Sequence, residues 1–267
     1  MSSDPHFNGE VLIDLSGTVA IVTGGSRGIG QSIALRLASQ GSDVALVALN
    51  DPEGLRETAG RIQALGHRSL TYDADVTVER RSREVTADVV DQMGALHILV
   101  NNAGGGQPAG VLDLTTEEWH RTVALNLDSA FYWTRAALPY LIPTGRGRVV
   151  MTSSMSAKNG GGGPPFSVSK SAYAASKAGL LGLARGLAIE MGPNNITVNA
   201  VCPGPIHTQA TESIMGGELG QTYAQRIPMR RLGTPDDVGA AVAFLCSLEA
   251  GFITGECLDV NGGFYID

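Results

Sequence analysis

The amino-acid sequence predicts an α/β fold in which helices cover both faces of a central parallel sheet. Three observations predict it. Short runs of apolar and β-branched residues recur along the 267-residue chain, longer segments with apolar residues at spacings of three and four separate them, and glycine clusters follow several runs. The short runs are typical of buried strands and the longer segments of amphipathic helices. Their alternation indicates βαβ units, which bind ligands at the carboxyl ends of the strands.

Six runs are predicted as strands because each is short and apolar and ends in small or polar residues. In chain order they span residues 18–24, 43–49, 67–74, 97–104, 148–154 and 196–204. The clearest helical segments span residues 28–41 and 175–192. No internal repeat interrupts the alternation, so we predict one domain over residues 17–267, preceded by an extension over residues 1–16.

Composition limits the possible functions. Hydrophobic residues make up 43% of the chain and charged residues 17%, without an apolar run that could span a bilayer or an N-terminal export signal. We therefore expect a cytoplasmic protein without a membrane partner. A net charge of -7 argues against a nucleic-acid partner, because phosphate binding needs clustered Lys and Arg. Three widely spaced cysteines follow no metal-ligand spacing and predict neither a metal site nor a disulfide framework.

The segment TGGSRGIG, residues 23–30, follows the first predicted strand and opens the first predicted helix. A nucleotide-binding glycine turn requires this context, because the amides and the positive dipole end of the helix then face a pyrophosphate. Gly24 would supply the turn, Gly28 the close backbone approach and Gly30 the tight helix contact. The spacing differs from GxGxxG, so the turn alone is weak evidence of coenzyme binding.

From about Leu15 to its end, the sequence resembles the short-chain dehydrogenase/reductase family. Six motifs in the family's order carry the resemblance: the glycine turn, DADV at 73–76, NNAG at 101–104, ALNLDSAF at 124–131, YAASK at 173–177 and PG at 203–204. The resemblance implies a single doubly wound, Rossmann-type domain, a nicotinamide coenzyme, a small carbonyl or alcohol substrate and a homotetramer. Within the family, the sequence is most similar in character to 3-oxoacyl-acyl-carrier-protein reductases and to sugar or polyol dehydrogenases.

The resemblance also implies which residues contact the coenzyme. Asp75 corresponds to the family's acidic residue on the adenine side, and Thr208 to the residue that often contacts the nicotinamide carboxamide. The complete implied set is Gly24, Ser26, Arg27, Gly28, Ile29, Gly30, Asn50, Asp75, Val76, Asn102, Ala103, Gly104, Tyr173, Lys177, Pro203, Gly204, Ile206 and Thr208.

Hydride transfer to a carbonyl leaves an alkoxide, so the site needs a proton donor near the carbonyl oxygen and a second hydrogen bond that orients it. The resemblance implies Tyr173 as the acid in reduction and the base in oxidation. It implies that Lys177 lowers the pKa of this phenol and reaches the nicotinamide ribose. Ser154 would supply the second hydrogen bond, and Asn126 would bind a water that links Lys177 to solvent.

The strand end TSSMS offers several serines for this role. The family's strand pattern favours Ser154 as the catalytic serine, with Ser156 as the alternative. The interval between Ser154 and Tyr173 is longer than the family usually shows, and we interpret the glycine-rich stretch around Gly160–Gly163 as an insertion. This insertion is either a solvent loop without a role or part of the substrate pocket, with Phe166 as a lining residue.

Tyr173 has two lysines at helical spacing, Lys170 and Lys177, and both would share its helix face. If the helix begins near Ser169, Lys170 falls in the first turn, where a cation opposes the helix dipole. We therefore assign Lys177 as the partner of Tyr173 and predict that Lys170 is a solvated surface residue.

The end of the second predicted strand bears on coenzyme choice. NAD-selective members usually carry an acidic residue there to hold the ribose 2'-hydroxyl, and this chain has Ala48. Arg27 is placed to meet a 2'-phosphate, and Asn50 could add a neutral hydrogen bond. We predict NADP(H) as the coenzyme, with NAD(H) as the alternative because Asp51 is close. The alternative function is a catalytically idle coenzyme-binding or regulatory protein on the same fold.

Overall fold

A computed structural model describes residues 13–106, 110–161 and 170–266 of the protein. Most of the predicted extension, residues 1–12, lies outside the described residues, as do Gly162, Gly163 and Phe166 of the predicted insertion. Leu15, near the end of the extension, is buried, and its amide donates to the Gln40 carbonyl at 2.7 Å. The chain therefore packs against the fold before the first strand begins.

The described residues form a seven-stranded sheet in which every neighbouring pair is parallel. Its strands are β1 (Val19–Thr23), β2 (Asp43–Ala48), β3 (Ser69–Asp73), β4 (Ile98–Asn101), β5 (Arg148–Thr152), β6 (Thr197–Pro203) and β7 (Cys257–Val260). The strand order is β3-β2-β1-β4-β5-β6-β7. The predicted α/β fold with a doubly wound parallel sheet is confirmed.

Each of the six predicted runs contains a strand, but the seventh strand, β7, was not predicted. It has only four residues, CLDV, and three of them are half-buried, so it lacks the continuous apolar run of the inner strands. The third strand begins two residues later than predicted, because His67 and Arg68 belong to the connection that precedes β3. Short edge strands give weak sequence signals because only part of their surface is buried.

Helices and helical turns connect the strands. The α-helices are α1 (Gly28–Ser39), α2 (Pro52–Ala64), α3 (Glu79–Met93), α4 (Thr116–Val123), α5 (Ser129–Leu141), α6 (Ser156–Asn159), α7 (Ser171–Met191), α8 (Glu212–Met215), α9 (Gly217–Arg226) and α10 (Pro235–Cys246). A π-helical segment, Ala124–Asp128, joins α4 to α5. Short 3-10 turns span Ile142–Thr144, Gly192–Asn194 and Gln209–Thr211.

Two apolar clusters, one on each face of the sheet, form the core. Strands β1, β4, β5 and β6 are buried along their whole length, as is usual for parallel strands covered by helices on both faces. Trp133 of α5 is fully buried, and its indole Nε1 donates to the Val76 carbonyl at 3.3 Å. The three cysteines are buried and unpaired.

The strand order places a crevice where β1 and β4 lie side by side. From β1 the chain winds through β2 to β3, and from β4 it winds the opposite way to β7. Such a reversal opens a ligand crevice at the carboxyl ends of the two central strands. None of the helices within the described ranges is both long and apolar enough to cross a membrane.

Candidate active site

The glycine turn between β1 and α1 has the shape of a nucleotide cradle. Gly24 and Gly28 have φ values of 68° and 57°, a region that favours glycine. A Cβ on Gly30 would collide with the Gly24 carbonyl oxygen, so α1 can approach the turn only with glycine there. Among the described residues, no side chain caps α1, which leaves its first amides free to bind an anion. The turn therefore fits a pyrophosphate.

The NNAG segment after β4 braces this turn. The Asn102 side-chain amide donates to the carbonyls of Thr23 and Gly24, at 3.0 and 3.3 Å. The Thr23 hydroxyl in return accepts from the amides of Asn102 and Ala103, at 3.0 and 3.1 Å. These four bonds hold the carboxyl ends of β1 and β4 together, directly below the crevice.

Arg27 projects from the turn toward solvent, with 68% of its side chain exposed. Its Nε lies 3.9 Å from Asp51 Oδ2. The Asp51 carboxylate accepts from the Gly54 amide at 3.2 Å and so caps α2. A hydrogen bond with Ser26 is the main cause that lowers the pKa of Asp51, with smaller contributions from the Gly54 amide and Arg27. The Asp51 carboxylate is therefore already hydrogen-bonded to other groups of the protein.

The other residues predicted on the adenine side lie at the ends of β2 and β3. Asn50 is exposed, has a φ of 54°, and donates its amide to Asp73 Oδ1 at 2.9 Å. Asp75 is half-buried, and its Oδ1 accepts from the amide and hydroxyl of Thr77 at 2.9 and 2.7 Å. Val76 is buried. The structure thus brings these residues to the same edge of the sheet as the glycine turn.

Tyr173 and Lys177 lie on α7, one turn apart. The Lys177 Nζ lies 5.6 Å from the centre of the Tyr173 ring and donates to the Thr152 carbonyl at 2.7 Å. Only 3% of Lys177 is exposed, whereas Lys170 is half-buried at the position just before the helix. The helix begins at Ser171, two residues later than the sequence suggested. Lys177 is therefore the lysine beneath the phenol.

Asn126 lies in the π-helical segment and, like Lys177, lies beside Gly104. Its Oδ1 accepts from the Gly105 amide at 3.0 Å, and its Nδ2 donates to the carbonyls of Gly105 and Thr122. A Cβ on Gly104 would lie 2.6 Å from Asn126 Oδ1 and 2.9 Å from Lys177 Nζ. The loop after β4 therefore runs between the asparagine and the lysine.

Of the two candidate serines, Ser154 lies beside the phenol. It forms a hydrogen bond that lowers the pKa of Tyr173, and its hydroxyl accepts from the Ser156 amide at 3.1 Å. Ser156 instead opens α6 and points toward the insertion, where a Cβ on Gly161 would lie 2.8 Å from its hydroxyl. The insertion thus begins with a helical turn, followed by left-handed glycines at Gly160 and Gly161.

Burial governs the pKa of both central groups. It raises the pKa of Tyr173 above its usual value of 10.0, although the bond with Ser154 acts the opposite way. Burial also lowers the pKa of Lys177 to about 8. In the free protein, burial therefore outweighs the causes that lower the Tyr173 pKa, and the lowering by Lys177 remains a prediction. The physical reason is that neither group is solvated, and desolvation disfavours the charged form of each.

The Lys177 pKa predicts how stability depends on pH. Since its folded pKa of about 8 lies below the ordinary 10.5, the unfolded chain binds more protons between these values, and the free energy of unfolding rises with pH there. Between pH 7 and pH 10, we expect the stability of the wild type to gain about 2 kcal/mol relative to Lys177→Met. Urea unfolding of both proteins measures this difference, and parallel stability curves would contradict it.

The segment after β6 closes the site. Pro203 ends the strand, and a Cβ on Gly204 would lie 2.6 Å from Asn261 Cβ, so the chain passes here only as glycine. Ile206 is buried. Thr208 caps the 3-10 turn reciprocally with Thr211 and lies 3.8 Å from the Cβ position of Gly28, so it contacts the glycine turn.

Several residues of this site were not predicted. Thr23 and Gly105 act through bonds to the predicted asparagines, and Thr152 offers only its carbonyl. The Ser153 hydroxyl donates to the Lys177 carbonyl at 2.7 Å. Asp51 was named in the sequence analysis only because it is close to the coenzyme site. Its role as the cap of α2 could have been predicted, since an acidic residue before Pro52 is typical of a helix start. Within the described ranges, no group of three or more His, Cys, Asp or Glu residues is arranged to hold a metal ion.

Comparisons with known proteins agree with this geometry. A family model described as enoyl-(acyl carrier protein) reductase matches residues 24–265. The 7alpha-hydroxysteroid dehydrogenase of Escherichia coli is 35% identical over 257 residues, which cover 96% of this chain and 97% of that protein.

Two solved structures are also similar. A 7alpha-hydroxysteroid dehydrogenase complexed with NADH and 7-oxo glycochenodeoxycholic acid has a TM-score of 0.87 and 34% identity, covering 94% of this chain and 95% of that one. A short-chain dehydrogenase from Burkholderia cenocepacia in complex with NADP has a TM-score of 0.84 and 36% identity, covering 94% and 98%. The chain belongs to the short-chain dehydrogenase/reductase family and is an NAD(P)-dependent oxidoreductase that acts on CH–OH groups.

Proposed function

We propose that the protein transfers a hydride between NADP(H) and a small carbonyl or alcohol substrate, with Tyr173 as the acid and base. One observation carries the proposal. A phenol, a buried ammonium and a serine hydroxyl meet where β5 and α7 pack together, at the same edge of the sheet as a glycine turn shaped for a pyrophosphate. This combination meets the needs of carbonyl reduction.

The bound nicotinamide would supply the hydride in reduction and accept it in oxidation. Tyr173 gives its phenolic proton to the carbonyl oxygen in reduction and takes it back in oxidation. Ser154 donates the second hydrogen bond that orients this oxygen. Lys177 carries a proton at neutral pH, because its pKa of about 8 lies above 7, and its charge favours the phenolate that forms in reduction.

Asn126 has a supporting part in the proposal. Its side chain binds both main-chain polar groups of Gly105 and so keeps the loop after β4 against Lys177. Both Asn126 and Lys177 lie beside Gly104, so the implied water, through which the phenol would regain its proton from solvent, would bind near this loop. The glycine turn, Thr208 and the Asn102 region would hold the coenzyme.

The environment of Arg27 supports a preference for NADP(H). β2 ends at Ala48, which offers no carboxylate to a ribose 2'-hydroxyl. The nearest acid, Asp51, is engaged by Ser26 and Gly54, whereas Arg27 extends into solvent from the turn. A largely exposed guanidinium in the glycine turn suits a 2'-phosphate, which it can bind through two parallel hydrogen bonds.

Arg27→Ala should therefore raise KM for NADPH at least about tenfold, since a hydrogen bond to a charged group contributes about 1.5–3 kcal/mol. KM for NADH should change less than about twofold, because NADH has no phosphate at this position. Initial rates with both coenzymes measure the ratio, and Arg56→Ala, an exposed arginine of α2, serves as the control. Equal effects on both coenzymes would refute the assignment.

A screen of ketones, aldehydes and secondary alcohols, followed by nicotinamide absorbance, tests the proposed reaction. We expect turnover by the wild type and a loss of at least about a hundredfold in Tyr173→Phe, the usual contribution of a general acid or base. If no carbonyl or alcohol is turned over although NADPH binds, the catalytically idle alternative holds.

Assembly into a homotetramer is also part of the proposal. Several large apolar side chains stay exposed, including Phe131 at 41% of its area and Phe252 fully. Exposed aromatic side chains are favourable at subunit interfaces because they bury much area. Light scattering of the purified protein gives the mass that decides between a monomer and a tetramer.

A further inference from the structure

Three consecutive residues at the end of β5 contact one turn of α7. The Thr152 carbonyl accepts from Lys177 Nζ at 2.7 Å. The Ser153 hydroxyl donates to the Lys177 carbonyl, also at 2.7 Å. Ser154 bonds the Tyr173 phenol. The residue that bears the ammonium is thus fixed at both ends, at its side-chain nitrogen and at its main-chain oxygen.

We propose that Ser153 is a positioning residue that sets the depth of Lys177 beneath Tyr173 by holding the Lys177 carbonyl against the end of β5. The inference rests on the proposed roles of Tyr173 and Lys177. The other two contacts of this turn with the strand end, at Thr152 and Ser154, involve the tips of longer side chains, those of Lys177 and Tyr173. The Lys177 side chain has four rotatable bonds, so its ammonium alone does not fix where the helix lies.

The surroundings of Ser153 suit this role. The side chain is 3% exposed, so its hydroxyl must find a partner inside the protein. Its amide donates to the Val201 carbonyl at 2.8 Å, which ties Ser153 to the sheet. A helical carbonyl has two lone pairs, so that of Lys177 can accept from Ser153 as well as from its helix partner. The bond therefore adds a link between sheet and helix without weakening α7.

The chain offers a matched control in Ser176. It is 1% exposed, and its hydroxyl donates to the Ala172 carbonyl at 2.7 Å, within α7 itself. Ser153→Ala and Ser176→Ala each remove one buried hydroxyl that bonds a carbonyl of the same helix. We expect a similar fall in Tm for both, whereas only the first variant releases the main-chain carbonyl of Lys177 from the strand end.

The kinetic test compares the two variants with the wild type. Ser153→Ala should lower kcat about tenfold, because a displaced Lys177 supports proton transfer less well, and should raise KM for NADPH less than kcat falls, because the glycine turn still holds the coenzyme. Ser176→Ala should keep kcat within about twofold of the wild type. Ser153→Thr retains the hydroxyl and should recover most of the kcat that Ser153→Ala loses.

A second readout needs no turnover. The absorbance of tyrosinate is titrated in the free protein, and the difference from Tyr173→Phe isolates the Tyr173 signal. In Ser153→Ala this titration should move to higher pH, because a displaced helix weakens the bond to Ser154, which lowers the Tyr173 pKa. Ser176→Ala should titrate as the wild type does.

The outcomes distinguish a failure of the proposed function from a failure of the positioning role of Ser153. If Tyr173→Phe keeps full turnover, the proposed function itself fails. If Tyr173→Phe is inactive but Ser153→Ala retains the kcat and the Tyr173 titration of the wild type, the positioning role is wrong. Equal losses of kcat in the two alanine variants would reduce Ser153 to a structural residue, and this also overturns the proposal.

Discussion

Lys177→Met is expected to lower kcat by about ten- to a thousandfold while the protein remains folded. A neighbouring cation shifts a pKa by about one to three units, or roughly 1.4–4 kcal/mol, and the variant loses this support for the phenolate. Burial already raises the pKa of Tyr173, so without the ammonium the phenolate becomes still less accessible. The pH at which oxidation of an alcohol reaches half its maximal rate should therefore increase.

Lys170→Met is the matched control for this change. Lys170 lies three residues before Tyr173 but at the position preceding α7, whereas Lys177 lies beneath the ring. We expect its kcat and pH profile to equal those of the wild type. Rate measurements across the pH range for both variants decide the assignment, and the opposite pattern would identify Lys170 as the partner.

Gly30→Ala is expected to abolish most coenzyme binding and to cost about 3 kcal/mol of stability, the upper range for overpacking a well-packed site. The new Cβ would meet the Gly24 carbonyl oxygen and lie 2.6 Å from the Asn102 side-chain amide. Neither can retreat freely, because one is main chain and the other braces the turn. Urea unfolding measures the stability, and quenching of protein fluorescence by NADPH measures the binding.

Gly60→Ala provides the comparison. Gly60 lies on the exposed side of α2, and a Cβ there would meet no atom within 4 Å. This variant should be more stable than the wild type by about 0.5–1 kcal/mol, the usual cost of glycine inside a helix. Equal effects of the two substitutions would show that the glycine turn is not tightly packed.

The fold was predictable because its signals are local and repeated. The strands β1, β4, β5 and β6 are buried along their whole length, and the helices α1 and α2 begin only a few residues after a strand ends. The strand β7 escaped prediction because Leu258, Asp259 and Val260 are only half-buried, so the segment lacks a continuous apolar run. Its position is decided by pairing with β6, a contact between residues far apart in sequence.

The candidate site was predictable only where a side chain carries the chemistry. The pattern of Tyr173 and Lys177 is visible in the sequence, and so is the glycine turn. The pKa of each group depends on how deeply helix packing buries it, which spacing does not reveal. The role proposed for Ser153 depends on a bond to a carbonyl, and every residue has one.

Much of the framework around Lys177 consists of main-chain atoms. The carbonyl of Thr152 accepts a hydrogen bond from the Lys177 ammonium, and the amide and carbonyl of Gly105 both bind the Asn126 side chain. The hydroxyl of Thr152 itself is buried without a hydrogen-bond partner, so this position contributes through its backbone. Because any residue supplies a carbonyl, evolution can change the side chain at position 152 without moving the ammonium. Sequence drift at this strand end is therefore compatible with an unchanged reaction.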